Sequence, residues 1–322
     1  MVSFGYTVMG EQAGPKQLVA DAQRAEAAGF DFIAASDHYF PWLAEQGHSP
    51  YTWSVLGAIA QATERVELMT YVTCPIMRYH PAVVAQKAAT IQLLSDGRFT
   101  LGLGAGENLN EHVIGQGWPS IDIRHEMLSE AVHIIRRLLA GETVTFRGDH
   151  IDAEKAKLWD LPPDPPPIGV AVSGRRSCRL AGEFADVMIA VEPRRELGDW
   201  FDAAGGAGKP RVGQVGLSYD ADADQARKRA LEQFRWFTGG WKTMAELPTH
   251  AHFDAASKAV REEDVAKQMP CGPDVAAHVE AVKRYVDAGF THVAVVQIGG
   301  EYQEPFFPWA ERELLPALRE LG

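Results

Sequence analysis

The stretch that decides the fold is Phe99-Thr100-Leu101-Gly102-Leu103-Gly104-Ala105-Gly106-Glu107-Asn108-Leu109-Asn110. Its glycines invite comparison with the G-x-G-x-x-G turn of a dinucleotide-binding, doubly wound open sheet. Glu107, however, stands where the third glycine of that fingerprint would fall. The segment also follows the fourth apolar run of the chain, whereas the fingerprint belongs to the first βα turn. A strand that runs through a glycine-rich turn into a helix is also one unit of a longer β/α series, so the flanking sequence settles the matter.

Short apolar, β-branched runs predict strands over 4–8, 32–36, 66–72, 99–104, 168–172, 187–191, 212–217 and 293–298. Helix-length segments separate nearly all of them. In the segment 15–28, Leu18, Ala22, Ala25 and Ala28 share one face, and Gly29 provides a stop. Further helices are expected over 53–63, 82–94 and 127–139. Eight strands in this rhythm predict a parallel sheet closed into a (β/α)8 TIM barrel, a single domain spanning 1–322. Two insertions interrupt it, near 141–167 and 220–273. The first is expected to hold a small hairpin, with strands at 143–146 and 150–152, and a proline-rich lead-in to the fifth barrel strand. The second is mainly helical. No internal repeat is evident.

The chain has 43 acidic against 31 basic residues, a formal charge of −12, which argues against nucleic acid as a partner. Its 3 cysteines, Cys74, Cys178 and Cys271, form no CxxC pair or disulfide framework. The N-terminus lacks a signal-peptide pattern, and no run is long and apolar enough for a bilayer. A cytoplasmic protein with a small-molecule substrate, and no membrane partner, is expected. Histidines are scattered without metal-ligand spacing, no GxSxG elbow occurs, and no cysteine has a catalytic signature.

In a barrel, chemistry gathers at the C-terminal ends of the strands. Strand two ends in Ser36-Asp37-His38, with Pro41-Trp42 following. Asp37 and His38 suit a general base with a supporting carboxylate; a helix cap beside a surface histidine is the plainer alternative. Trp42 is able to wall a planar ring or simply to pack. The turn after strand four offers Glu107 and Asn110 beside glycines that admit a flat or phosphorylated ligand; helix capping is again the alternative. After strand five, Ser173, Gly174, Arg175 and Arg176 combine a hydroxyl, backbone N–H groups and guanidinium groups, a set suited to phosphate.

These residues resemble the bacterial-luciferase-like superfamily and, within it, the coenzyme F420-dependent glucose-6-phosphate dehydrogenase family. The resemblance runs nearly end to end. It is carried by Ser36-Asp37-His38-Tyr39-Phe40-Pro41-Trp42, by 78–86, by Gly102 to Glu111, and by Asp287-Ala288-Gly289-Phe290-Thr291-His292. It implies a (β/α)8 barrel holding coenzyme F420, a deazaflavin, at its mouth. Asp37 would contact the cofactor, and the Tyr71-Val72 backbone would support the ring, often through a cis peptide in relatives. Cys74, Glu107 and Asn110 would line it, and Ser173, Gly174 and the turn through Arg175 and Arg176 would hold its phosphate. His38 would take the hydroxyl proton as hydride leaves the substrate carbon, with Trp42 steadying both partners. Glu107 would manage a proton at the pyrimidine end of the deazaflavin.

The departures concern the substrate. Where the family has an arginine after an Ala-Lys pair, Gln268 follows Ala266-Lys267. Arg194 and Arg195 stand near a lysine position after strand six. The resemblance therefore implies oxidation of a sugar, a sugar phosphate or another alcohol by a protein whose relatives commonly form homodimers. A reduced-F420-dependent reductase of an enone, imine or carbonyl, an FMN-dependent monooxygenase, and a non-catalytic deazaflavin-binding barrel are the alternatives.

Overall fold

The computed structural model describes residues 2–322. Ten strands form: β1 (Ser3–Val8), β2 (Phe32–Ala35), β3 (Glu67–Thr70), β4 (Phe99–Leu103), β5 (Val144–Arg147), β6 (Asp152–Ala156), β7 (Ile168–Ala171), β8 (Val187–Ala190), β9 (Arg211–Leu217) and β10 (His292–Gln297). Eight of these close into a parallel barrel in the order β1-β10-β9-β8-β7-β4-β3-β2, while β5 and β6 make a separate antiparallel pair. The expected (β/α)8 barrel is thus present, each of its strands lying where the sequence places one.

The strands are buried on both faces, and their alternation divides two cores. Phe32, Ala34, Met69, Tyr71, Val187, Ile189, Val212 and Ala294 form the cluster inside the barrel. Alternate residues such as Ile33, Leu68, Met188, Val293 and Val295 join the surrounding core beneath the helices. The interior has room for its large side chains only because glycines face them. A Cβ on Gly5 would lie 2.5 Å from the Phe32 ring, and one on Gly102 would lie 2.0 Å from the Thr70 carbonyl oxygen.

The helix Pro15–Ala28 has the expected bounds, and Gly29 ends it with a left-handed φ of 97°. The helix expected from residue 127 instead runs over Ile121–Leu139. Ile121 and Ile123 in its first turn are exposed, which breaks the apolar period that marks a helix start. In the hairpin, the second strand is Asp152–Ala156, later than expected. Residues 149–151 belong to the turn, where the Glu130 carboxylate accepts the backbone N–H groups of Asp149, His150 and Ile151 at 2.8, 3.2 and 2.9 Å. The proline-rich segment does lead into β7, its last carbonyl, on Pro167, accepting from Leu101 N–H at 2.9 Å.

The second insertion folds as the helices Ala223–Phe234, Trp241–Met244, His250–Ser257 and Glu262–Ala266. It builds a separate apolar cluster in which Phe234, Trp236, Met244, Phe253 and Met269 meet Met9, Trp42, Leu43, Leu109, Val296 and Ile298 from the barrel's C-terminal end. The insertion is therefore a roof over the mouth. Among the described residues, no helix is long and apolar enough to cross a membrane.

The barrel interior sets the first prediction. Gly102→Ala forces a methyl group against the backbone carbonyl of Thr70, the last residue of β3. The substitution should lower the unfolding free energy by about 3 kcal/mol, measured by urea denaturation. A stability equal to the parent's would mean that the strands yield there at little cost.

Candidate active site

The loops after β1, β2, β3, β4 and β7 enclose a cavity at the C-terminal end of the barrel, with Phe237, Trp241 and other roof residues on its far side. Every residue of the Asp37, His38, Trp42, Tyr71, Val72, Cys74, Glu107, Asn110 and Ser173 set lines it. Tyr71-Val72 is a cis peptide. Arg175, Arg176, Arg194, Arg195, Gln268 and Gly174 are outside its lining.

His38 stands between two carboxylates. Its Nδ1 lies 3.0 Å from Glu11 Oε1, and its Nε2 lies 3.3 Å from Glu107 Oε2. Glu11 is 1% exposed, so this carboxylate is withdrawn from water. It is held by Ser36 Oγ, which donates at 2.6 Å and accepts from Gly10 N–H at 3.0 Å. Nδ1 is itself buried and sits off the hydrogen-bonding direction, at ion-pair distance only. Nε2 is accordingly the nitrogen that a ligand in the cavity can reach.

Asp37 has a different environment from the one its neighbour in sequence suggests. Its carboxylate accepts from Thr73 Oγ1 at 2.7 Å, Trp53 Nε1 at 3.1 Å, Arg78 Nη2 at 3.3 Å and the Tyr79 hydroxyl at 3.3 Å. The carboxylates that support His38 are Glu11 and Glu107, because successive residues beyond a strand end turn to different sides. Arg78 also reaches the Asp37 carbonyl at 2.9 Å and Glu111 Oε1 at 3.4 Å, and Glu111 accepts the Arg78 N–H at 2.7 Å.

Glu107 is oriented from its own helical turn. Asn110 Nδ2 donates to Glu107 Oε2 at 3.0 Å, while Asn110 Oδ1 accepts from Tyr39 and Phe40 N–H at 2.8 and 3.3 Å. Burial raises the Glu107 carboxyl above its ordinary pKa, opposed by His38 and reinforced by Glu11. Burial likewise raises Glu111, with Arg78 acting against it. The Cys74 thiol is pushed well up by burial and by Glu111, which makes it a poor nucleophile.

Trp42 packs its ring 4.7 Å from the His38 ring and stacks on Trp236 at 4.1 Å with a 7° tilt. A Cβ on Gly104 would meet Val72 at 2.6 Å, and one on Gly106 would meet Cys74 Sγ at 2.5 Å. The Gly104-Ala105-Gly106 turn therefore packs directly on Val72 and Cys74, with no room for a Cβ at either glycine.

At the β4/β7 side, Arg124 lines the cavity and is 1% exposed. Its Nη2 donates to Glu246 at 2.7 Å and its guanidinium lies 4.1 Å over Trp118, but Nε and Nη1 are buried with no partner. Ser173 and Ser177 line the same region. The N–H groups of Ser173 and Gly174 are engaged by Ser177 Oγ at 3.1 and 3.2 Å. Two orphaned guanidinium nitrogens call for an anion, and this suits the phosphate of a cofactor.

Arg175 and Arg176, expected at the cofactor phosphate, and Arg194 and Arg195, expected at the substrate, point elsewhere. Arg176 pairs with Asp122 and Glu126, and Arg175 is exposed. Arg194 bonds Glu192 and Glu196 at 3.4 and 2.9 Å, Arg195 donates to the Asp287 carbonyl, and Gln268 is exposed. Sequence reasoning missed Glu11, Arg78, Arg124 and Trp236. Glu11 had a usable signal, since it follows the end of β1 as His38 follows β2. Arg124 had none, because its helix was read as starting beyond it.

Residues 2–292 match the luciferase-like monooxygenase family, and the chain belongs to it. It is 37% identical over 340 residues to the F420-dependent glucose-6-phosphate dehydrogenase of Intrasporangium calvum, covering 100% of both chains. It is also 37% identical over 294 residues to the F420-dependent hydroxymycolic acid dehydrogenase of Mycobacterium tuberculosis, covering 88% of this chain and 80% of that one. Among solved structures, an F420-dependent secondary alcohol dehydrogenase in complex with an F420-acetone adduct superposes with a TM-score of 0.90. The two share 28% identity over 99% of each chain.

Two predictions follow from this geometry. Asp37→Asn removes the buried charge facing Arg78 and should cost about 3 kcal/mol of stability, read by urea unfolding; an undiminished midpoint would show that Arg78 finds another partner. Glu107 supplies a pH test. A carboxyl whose pKa is raised on folding favours the folded state below its unfolded value of 4.5, and loses that contribution as pH rises through the folded value. Glu107→Gln should therefore gain stability relative to the parent as pH is raised from acid to neutral. Parallel stability curves for the two proteins would refute the burial penalty.

Proposed function

We propose that this chain is a coenzyme F420-dependent oxidoreductase that oxidises an alcohol to a carbonyl, with His38 as the general base. The observation that carries this reading is the placement of His38 between Glu11 and Glu107 on the wall of the cavity at the barrel mouth. Relatives that cover the whole chain are named as F420-dependent dehydrogenases, which supports the cofactor and the reaction class. When bound, the coenzyme supplies a two-electron hydride acceptor, so the protein must contribute proximity, a base and electrostatics.

The residues present suit that group. Gly104-Ala105-Gly106 and Tyr71-Val72 line the part of the cavity where a flat ring would lie. Arg124, through Nε and Nη1, is the natural partner of the cofactor phosphate, with Ser173 and Ser177 beside it. Asp37 and Asn110 act from behind: Asp37 fixes the loop that carries His38, and Asn110 sets the Glu107 carboxylate.

In the reaction, the alcohol O–H donates to His38 Nε2, and its proton passes to that nitrogen as the carbon gives up hydride. Glu11 stabilises the resulting imidazolium from the Nδ1 side, in a site where burial strengthens the interaction. Glu107 Oε2, 3.3 Å from Nε2 and with its carboxyl raised by burial, is placed to take that proton on from the imidazolium. Trp42 limits the freedom of the imidazole and walls the substrate. The resemblance further implies a homodimer acting on a small molecule.

His38→Ala tests the base. It should lower kcat for alcohol-driven F420 reduction by about 10²–10⁴-fold, while coenzyme binding, followed by fluorescence, stays within a few-fold of the parent. Unchanged turnover with the best alcohol would remove His38 from the mechanism.

A further inference from the structure

We infer that the substrate is a neutral alcohol with an apolar substituent, and that the aromatic roof selects it over phosphorylated sugars. This inference rests on the reading of the site as an F420-dependent alcohol dehydrogenase. It adds a substrate class that the names of its relatives leave divided.

The cavity has two chemically different sides. On the β4/β7 side lies Arg124, the single lysine or arginine among the described residues lining the cavity. Its free nitrogens are assigned above to the cofactor phosphate. The opposite arc carries β2, β1, β10 and β9 in sequence around the barrel, and the roof follows β9. There, beside Glu11, His38 and Gln214, the lining is Met9, Trp42, Phe234, Trp236, Phe237 and Trp241. Trp236 is fixed by its stack on Trp42 and by Phe234 at 4.7 Å. Phe237 and Trp241 are only half-buried, which leaves apolar surface for a ligand to cover.

The roof does contain cations, but no lysine or arginine of 220–273 is among the residues lining the cavity. Arg235 bonds Glu45 and Asp254 at 2.9 and 2.7 Å. Arg229 bonds Asp220 at 2.9 Å, with its guanidinium 3.9 Å over Tyr302. Lys267 is exposed and lies 3.5 Å from Asp264. The carboxylates lining the cavity are Glu11, Asp37, Glu107 and Glu111, and Glu11 and Glu107 flank His38. A phosphate dianion there would lose its hydration beside like charges, with no guanidinium or ammonium to receive it. An alkyl or aryl group would instead displace water from aromatic surface already fixed in place.

The experiment follows reduction of oxidised F420 by the intact enzyme. The substrates are the 2-alkanols from 2-propanol to 2-octanol, 1-phenylethanol, glucose and glucose 6-phosphate. The expected result is a kcat/KM that climbs about three- to fourfold per added methylene through the early members, with glucose 6-phosphate below 2-hexanol. Phe237→Ala and Trp241→Ala, both at half-buried positions that the fold can spare, should each flatten that climb by raising KM for the longer alcohols more than for the shorter ones. A preference for glucose 6-phosphate, or a chain-length series with no slope, overturns the substrate class and leaves the dehydrogenase reading standing. If F420 binds and no alcohol or sugar reduces it, both fall together.

Discussion

Arg78 is the residue on which the site's geometry depends. One buried guanidinium reaches the carbonyl and carboxylate of Asp37 after β2 and the carboxylate of Glu111 after β4. His38 follows Asp37 directly, and Glu107 lies one turn before Glu111 on the same short helix. The distance between base and acid is therefore set through a salt bridge that neither of them joins. A charge pair of this kind is costly to bury and costlier to break from one side. That asymmetry makes it a good spacer, because the loops have no cheap way to drift apart. Trp53, Thr73 and Tyr79 complete the Asp37 carboxylate's shell and remove its remaining freedom.

Charge and apolarity are kept apart across the mouth. The carboxylates and imidazole occupy the barrel rim, whereas the insertion after β9 supplies aromatic mass and keeps its arginines out of the cavity lining. Burial then has two effects. It lifts the Glu107 and Glu111 carboxyls, and it strengthens what Glu11 does to His38 by removing competing water. The roof accordingly shapes the electrostatics of the rim as well as the space above it. The Trp42–Trp236 stack joins the two regions, since Trp42 touches His38 on one side and the insertion on the other.

The barrel itself was legible because its strands are apolar runs of the right length separated by helices, and both signals are local. Gly29 as a helix stop and Glu107 as the missing third glycine are single-residue observations that pointed the right way. Errors arose where a local signal was absent or borrowed. Ile121 and Ile123 are exposed, so the start of their helix carries no apolar stripe. The strand after residue 149 starts late because Glu130, nineteen residues upstream of Asp149, holds the turn's amides. Asp37 was paired with His38 on adjacency, yet its partners come from the β3 loop and the helix after β2.

The sequence by itself determined the β/α order, the closure into a barrel, and a set of polar residues at the strand ends. These follow from periodicity and from the topological rule that loops at the C-terminal rim converge. Only the tertiary structure decided which of those residues meet. Closure brings β1 beside β2, and with it Glu11 against His38, across twenty-seven positions of chain. It brings Arg124 to the cavity with two unpartnered nitrogens, and it turns Arg176, Arg194 and Arg195 away to other partners. Side-chain direction at a strand end depends on the packing of both neighbouring strands, and no single stretch of sequence encodes that.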